Sequence, residues 1–291
     1  GNAKVPYYIE LNHFIQAQKL ENLKKIKLAN AWMDPTFAKE ITAANIYRKY
    51  LPTPEASLLR LNVQGNYLGL YVNTEAVDKQ FLQKQFNEKD GVLVKCDPVQ
   101  VFCGNNTANG NPDLKWMGAD SANYYNSYDV KSDHGWGELM ELIEKINFDF
   151  DNLGDVLNID RVLWAFAVNS AILNLDTYNG YYVHNYYLYR TEDGLFQMIP
   201  WDFDNSFAGA ILGWDFFDPM VVYNYDTYGN QYAPNERPLL EKLLDDPYYK
   251  KLYNAHLRTV YTESLIDTDA VRASINQLQA TAYSLPATGH M

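Results

Sequence analysis

The sequence predicts an α+β fold, and three observations carry that expectation. Residues 56–74 read as a two-stranded antiparallel hairpin. Residues 162–175 read as a helix that is apolar on most of its sides. The tail, at 238–261 and 269–283, is helical in pattern. Strands joined by tight turns, followed by runs of helix, are the α+β signature. The 291 residues allow one large domain or two modest ones.

Each element has a local reason. Residues 5–11 mix aromatic and β-branched side chains, and residues 23–28 alternate weakly; both read as strands. Asp34-Pro35 reads as a helix start, with Asp as cap and Pro at the first helical position. Phe37, Ile41, Ala44 and Ile46 then share a face over 36–50, and Pro52 and Pro54 end the helix. In the hairpin, Ala56–Val63 runs into Gln64-Gly65-Asn66, which turns the chain into 67–74. Residues 78–86 read as a helix with Phe81, Leu82 and Phe86 inward, and 91–95 as a short strand.

Residues 96–135 are rich in Gly, Asn and Pro and read as a long irregular excursion. Its aromatic residues, Trp116, Tyr124 and Tyr125, leave two readings open: a decorated surface loop, or a lid or substrate platform. Residues 136–147 follow as a helix. The apolar helix starts near Asn158 or Asp160, either of which can cap it. Tyr186–Arg190, the turn at Glu192-Asp193-Gly194 and residues 195–199 form a second hairpin, followed at once by Pro200-Trp201-Asp202-Phe203-Asp204.

Composition excludes several classes. Hydrophobic residues make up 47%, which rules out wholesale disorder, and the net charge of −12 opposes general binding of nucleic-acid backbones. No apolar run approaches the roughly 18–20 residues of a membrane span, and no cationic, apolar leader is visible. The 24 Tyr residues and the abundant Asn favour wet, hydrogen-bonding surfaces. Cys96 and Cys103 show no disulfide framework or zinc spacing and read as two free or buried thiols, with a loop disulfide as the alternative.

The chemistry concentrates between Asp176 and Asp204. The apolar helix delivers Asp176 at its end. A hairpin brings the ends of its strands together, so Asn185 and Asp202 should be neighbours. Three oxygen-bearing side chains meeting there suit a hard cation such as Mg²⁺. The bland reading gives Asp176 to a turn, Asn185 to a strand cap and His184 to structural hydrogen bonding. The order Asp, Asn, hairpin, Asp parallels phosphoryl-transfer sites, but no glycine-rich phosphate loop and no usual protein-kinase signature is present.

Several stretches resemble the CotH kinase family, named for a bacterial spore-coat protein. Leu61-Asn62-Val63-Gln64-Gly65-Asn66-Tyr67-Leu68-Gly69-Leu70-Tyr71-Val72 resembles its strand–turn–strand segment, and Asn30 to Pro35 its D-P-[ST] stretch. His184-Asn185-Tyr186 and Pro200-Trp201-Asp202-Phe203-Asp204 resemble its H-N-Y and P-W-D-x-D signatures. The resemblance implies an atypical two-lobed protein-kinase-like fold: an N-terminal lobe of antiparallel strands plus a helix, and a mainly helical C-terminal lobe. Residues 1–95 would form the first lobe, with its first strands preceding Gly1. Residues 96–135 would be an irregular insertion and 136–291 the second lobe.

It further implies a kinase that uses ATP with Mg²⁺ or Mn²⁺ to phosphorylate Ser or Thr of a protein partner, in an exported or cell-surface bacterial protein. Asp176 would be the catalytic Asp. Asn185, Asp202 and Asp204 would serve the metal. Lys4 would reach a phosphate, oriented by Glu75. Two departures favour a second reading, a catalytically degenerate scaffold that binds surface protein or glycan: the segment between Asp176 and His184 is longer than usual, and no arginine follows Asp204 as F-G-R. The aromatic group Trp214, Phe216, Phe217, Tyr223, Tyr225 and Tyr228 would then be a platform, or else a packed insertion. A metal-dependent hydrolase finds no second ligand set.

Overall fold

The computed structural model describes residues 4–31, 34, 36–98, 100–101, 108–174, 176–180, 183–207 and 236–284. It is an α+β protein built on two four-stranded antiparallel sheets. The first contains β1 (Tyr7–Glu10), β2 (Lys25–Ala29), β3 (Ala56–Val63) and β4 (Asn66–Thr74), in the order β1-β2-β4-β3. Gln64 and Gly65 turn β3 into β4 with both residues at positive φ, which Gly65 adopts without strain.

Helix α1 (Lys39–Tyr47) starts later than the sequence suggests. Asp34 does not cap it as first-turn neighbour. Its carboxylate instead accepts from the Thr36 N–H at 2.9 Å and the Lys39 N–H at 2.8 Å, spanning a bend ahead of the helix. Ile41 packs on Val72 of the first sheet, whereas Ala43, Ala44 and Tyr47 join the main core. Helix α1 therefore ties the two halves together.

Helix α2 (Lys79–Phe86) is capped by Asp78, which accepts from the N–H groups of Gln80 and Phe81. Strand β5 (Val92–Cys96) leaves the first sheet's neighbourhood and enters the second. After the small pair β6 (Gln100–Val101) and β7 (Ala108–Asn109) comes β8 (Tyr128–Val130). Strands β9 (Tyr186–Arg190) and β10 (Phe196–Pro200) complete the second sheet in the order β10-β9-β5-β8.

This sheet is covered on both faces. Leu93, Tyr187, Tyr189 and Ile199 pack against Val77, Phe81 and Leu82 around α2. Val94, Tyr186, Leu188 and Met198 face the main core, formed with α3 (Trp136–Phe148), α4 (Ile159–Ala171), α5 (Pro238–Asp245) and α6 (Pro247–Ser264). Burial on both sides explains why β9 reads Tyr-Tyr-Leu-Tyr without polar alternation. Helix α7 (Thr268–Ser284) closes the described chain, with Leu278 against Ala31 and Phe37.

The region of residues 96–135 contributes to packing. Leu114, Tyr124 and Tyr128 are fully or nearly fully buried, and the Tyr124 hydroxyl accepts from Met117 N–H at 2.7 Å and donates to the Gly118 carbonyl at 3.0 Å. Trp116 meets Phe148 edge to face, and Tyr125 tilts against Trp136. Cys96 is buried; Cys103 and the aromatic group at 214–228 lie outside the described residues.

Candidate active site

Helix α4 ends at Ala171, and Leu173 takes positive φ, turning the chain inward. Asp176 emerges there, 7% exposed. Its backbone N–H donates to Asn174 Oδ1 at 3.3 Å. The hairpin of β9 and β10 is in register from Tyr186–Pro200 to Arg190–Phe196, so Asn185 and Trp201 close its base. The Trp201 N–H donates to the Asn185 carbonyl at 3.2 Å. Asn185 and Asp202 both take left-handed backbone, with φ of 58° and 59°. Asn and Asp tolerate that region best among residues with a Cβ, and the Asn185 side chain reaches Asp176 from it.

The Asp176 carboxylate is held from several sides. The Asn185 amide donates to Oδ2 at 3.1 Å and the Asn205 amide to the same oxygen at 2.8 Å. His184 Nε2 hydrogen-bonds Oδ1, and its Nδ1 lies 3.2 Å from Asp97 Oδ1. These two carboxylates outweigh burial and push the His184 pKa up to about 10. Asp97, at the end of β5, also accepts from the Lys95 ammonium at 2.5 Å; despite burial, its pKa is held low by His184 and Lys95.

Asp202 and Asp204 lie beside this group. Burial, then the neighbouring charges of Asp202 and Asp176, raises the Asp204 pKa to about 7. Burial likewise raises Asp202, opposed by the nearby cation of Lys27. Phe203 between them is buried and stacks on Tyr47 of α1, ring centres 4.6 Å apart. The Tyr47 hydroxyl hydrogen-bonds Asn169 Oδ1 and accepts from the Asn174 amide at 3.1 Å. One tyrosine thus joins α1, the Asp176 turn and the Asp202–Asp204 segment.

Lys27 lines both cavities of the cleft. Lys25, Lys27 and Ala29 point to the sheet face opposite Ile26 and Leu28, by strand alternation. Register puts Lys27 opposite Tyr8 on one side and Thr74 on the other. Its ammonium sits 3.7 Å from the Trp201 ring centre. Burial lowers its pKa to about 8, despite the attraction of Asp202. Lys27, Trp201 and Tyr8 line both a cavity of about 280 Å³, shared with Glu40 and Asp202, and one of about 440 Å³, shared with Val77, Leu93 and Lys95. Glu40 of α1 is buried; its carboxylate accepts from the Thr74 hydroxyl at 2.7 Å, and burial plus the charge of Asp202 raises its pKa to about 8.

The structure thus brings Asp176, Asn185, Asp202 and Asp204 into one neighbourhood. Lys4 has other partners: its ammonium donates to the Asn30 and Leu70 carbonyls and lies over the Phe37 and Tyr71 rings. Glu75 pairs with Lys84 at 3.1 Å. The sequence reading passed over Lys27, Glu40, Asp97 and Asn205. One of these carried a signal: Glu40 lies on the same helical stripe as Ala43, Ala44 and Tyr47.

The donor set is all oxygen. No three Asp, Glu, His or Cys side chains are gathered as a preformed cage among the described residues. Magnesium, however, is commonly held by one or two carboxylates, with water and substrate phosphates completing its shell. Asn205, whose amide nitrogen donates to Asp176, has a buried Oδ1 with no hydrogen-bond partner among the described residues. These residues fit a Mg²⁺-type ion.

Fold and site define an α+β protein with a lysine-and-tryptophan cleft between two antiparallel sheets and a carboxylate cluster at its floor. The chain belongs to the CotH kinase protein family, whose model matches residues 1–285. It is also similar to the inner spore coat protein H of Bacillus subtilis strain 168, with 24% identity over 259 residues. That alignment covers 86% of this chain and 65% of the relative's length. No helix among the described residues is long and apolar enough to cross a membrane.

Proposed function

We propose that this chain is a metal-dependent kinase that transfers the γ-phosphate of ATP to Ser or Thr hydroxyls of a protein. The observation that carries the reading is the meeting of an oriented Asp176 with Asp202 and Asp204 beneath the ammonium of Lys27. A 440 Å³ cleft lies within the range of nucleotide-sized pockets. In it, Val77 and Leu93 offer apolar contact to a base, with the Trp201 ring beside Lys27 and Lys95.

Asp202 and Asp204, assisted by Asn185 and Asn205, would hold Mg²⁺ or Mn²⁺. The ion would neutralise phosphate charge. Lys27 would bind a phosphate oxygen, and Glu40 and Asp202 would hold that ammonium in the cleft. Asp176 would take the proton from the acceptor hydroxyl. Its hydrogen bonds come from N–H groups of Asn185 and Asn205, with His184 at the other oxygen, and these orient the carboxylate. As in other phosphoryl-transfer sites, the work is positioning and charge stabilisation.

The spore-coat name of the relative supports an exported or surface location for this chain as well. The test is transfer of label from γ-labelled ATP, with Mg²⁺ or Mn²⁺, to the chain itself and to a library of Ser- and Thr-containing peptides. Transfer that disappears in Asp176→Asn supports the kinase. No transfer, with nucleotide binding also absent, would leave the degenerate scaffold and its surface-binding role.

A further inference from the structure

The orientation of Asp176 is itself maintained from β5. A carboxylate offers about four lone-pair directions. Asn185 and Asn205 occupy two at Oδ2, and His184 occupies one at Oδ1. The donor at Oδ1 sits on a ring that is free to rotate unless its other nitrogen is tied. Asp97 ties it, through Nδ1 at 3.2 Å. Asp97 is in turn anchored by Lys95, whose ammonium lies 4.6 Å from the Trp201 ring centre in the cleft. Both ring nitrogens of His184 thus face a carboxylate oxygen.

We propose, on the kinase reading above, that Asp97 and His184 are positioning residues for phosphoryl transfer. Asp97 fixes the ring, and the ring fixes Oδ1 of Asp176, which leaves the remaining lone pair for the proton of the acceptor hydroxyl. Neither residue lines the two cavities of the cleft. The arrangement is the carboxylate–imidazole logic of other active sites, in which an outer partner sets the orientation of an inner one.

The experiment compares the full chain with Asp97→Asn, His184→Gln and the pair. His256→Gln serves as a control, because His256 pairs with Asp160 and stacks on Trp164 within the helices. Single-turnover label transfer is measured with Mg²⁺ and ATP, alongside melting curves. His184→Gln should slow transfer about 10–100-fold, with the ATP concentration dependence unchanged within about twofold. Asp97→Asn should slow it less, and the pair no more than His184→Gln alone, since both act through one path. Multiplicative losses, or weakened ATP binding at an unchanged rate, overturn the proposal.

A second readout does not need activity. Proton NMR of the wild type should show both His184 ring N–H signals slowed in exchange. Asp97→Asn should move the Nδ1–H signal, and Asp176→Asn the Nε2–H signal. If these signals respond as stated but no label is transferred, the kinase reading fails while the held geometry stands. If they do not respond, the positioning proposal fails whatever the activity.

Discussion

Replacing Lys27 by methionine removes a cation that the fold holds at a cost. The ammonium is buried, and its pKa stands at about 8 rather than 10.5. Keeping it charged therefore costs about 3 kcal/mol in the ligand-free chain. Methionine has similar reach and no charge. It gives up the contact with the Trp201 ring, worth about 1 kcal/mol at a partly buried site. The net expectation is a gain of about 1–2 kcal/mol, or about 2–5 °C in melting temperature for a chain of this size.

The sign of its pH dependence follows from the depressed pKa. The gain of Lys27→Met over wild type is full below pH 8 and fades as pH rises toward 10.5, where lysine is neutral in both states. The assay is a pair of melting curves at pH 7 and pH 10, each with and without Mg²⁺ and ATP. The variant should melt higher without ligand and lose the nucleotide-dependent rise. A variant that melts lower at pH 7 and keeps the nucleotide effect would refute the view that Lys27 is held in place for a phosphate.

Three further outcomes are expected. Because the His184 pKa is raised from 6.5 to about 10, its pairing stabilises the fold fully below pH 6.5 and is lost as pH rises through 10. Wild type should therefore lose on the order of 2–4 kcal/mol more than His184→Gln between pH 7 and 10 in urea unfolding, and parallel curves would contradict this. Tyr47→Phe keeps the stack on Phe203 but removes the hydroxyl's hydrogen bonds to Asn169 and Asn174; losing these buried bonds should cost about 1–3 kcal/mol in the same assay, and a loss within error would contradict the role given to Tyr47. Protons on Asp204, whose pKa is about 7, must leave before a cation binds. Mg²⁺ affinity measured by calorimetry with ATP present should accordingly rise from pH 6 to 7 and flatten by pH 8, and a flat profile would place the ion elsewhere.

The elements with local causes were legible in the sequence. The Gln64-Gly65 turn and the flanking alternation define β3 and β4. The Glu192-Asp193-Gly194 turn defines β9 and β10, and hence the proximity of Asn185 and Asp202. The start of α1 was not legible, because Asp34 serves a bend and its nearest helical partner is the Lys39 N–H. Nor was the region around Leu114 and Tyr128, whose burial depends on core contacts remote in sequence. The cleft shows the same division. The hairpin spacing draws Asp176, Asn185 and Asp202 together, and the P-W-D-x-D resemblance adds Asp204. Lys27 becomes recognisable only when β2 is set against the second sheet. Asp97 carries no local signal, since its role is fixed by His184, 87 positions away.

The most direct test of the central claim is the melting temperature of wild type and Asp202→Ala with ATP, with and without Mg²⁺ or Mn²⁺. Ligand that binds only the folded state stabilises by about 2.7 kcal/mol at a hundredfold excess over Kd. A metal-dependent rise with ATP is expected in wild type and none in Asp202→Ala, whose ligand-free fold should remain intact. An equal rise in both proteins, or no rise in either, would contradict a phosphoryl-transfer site at this carboxylate cluster.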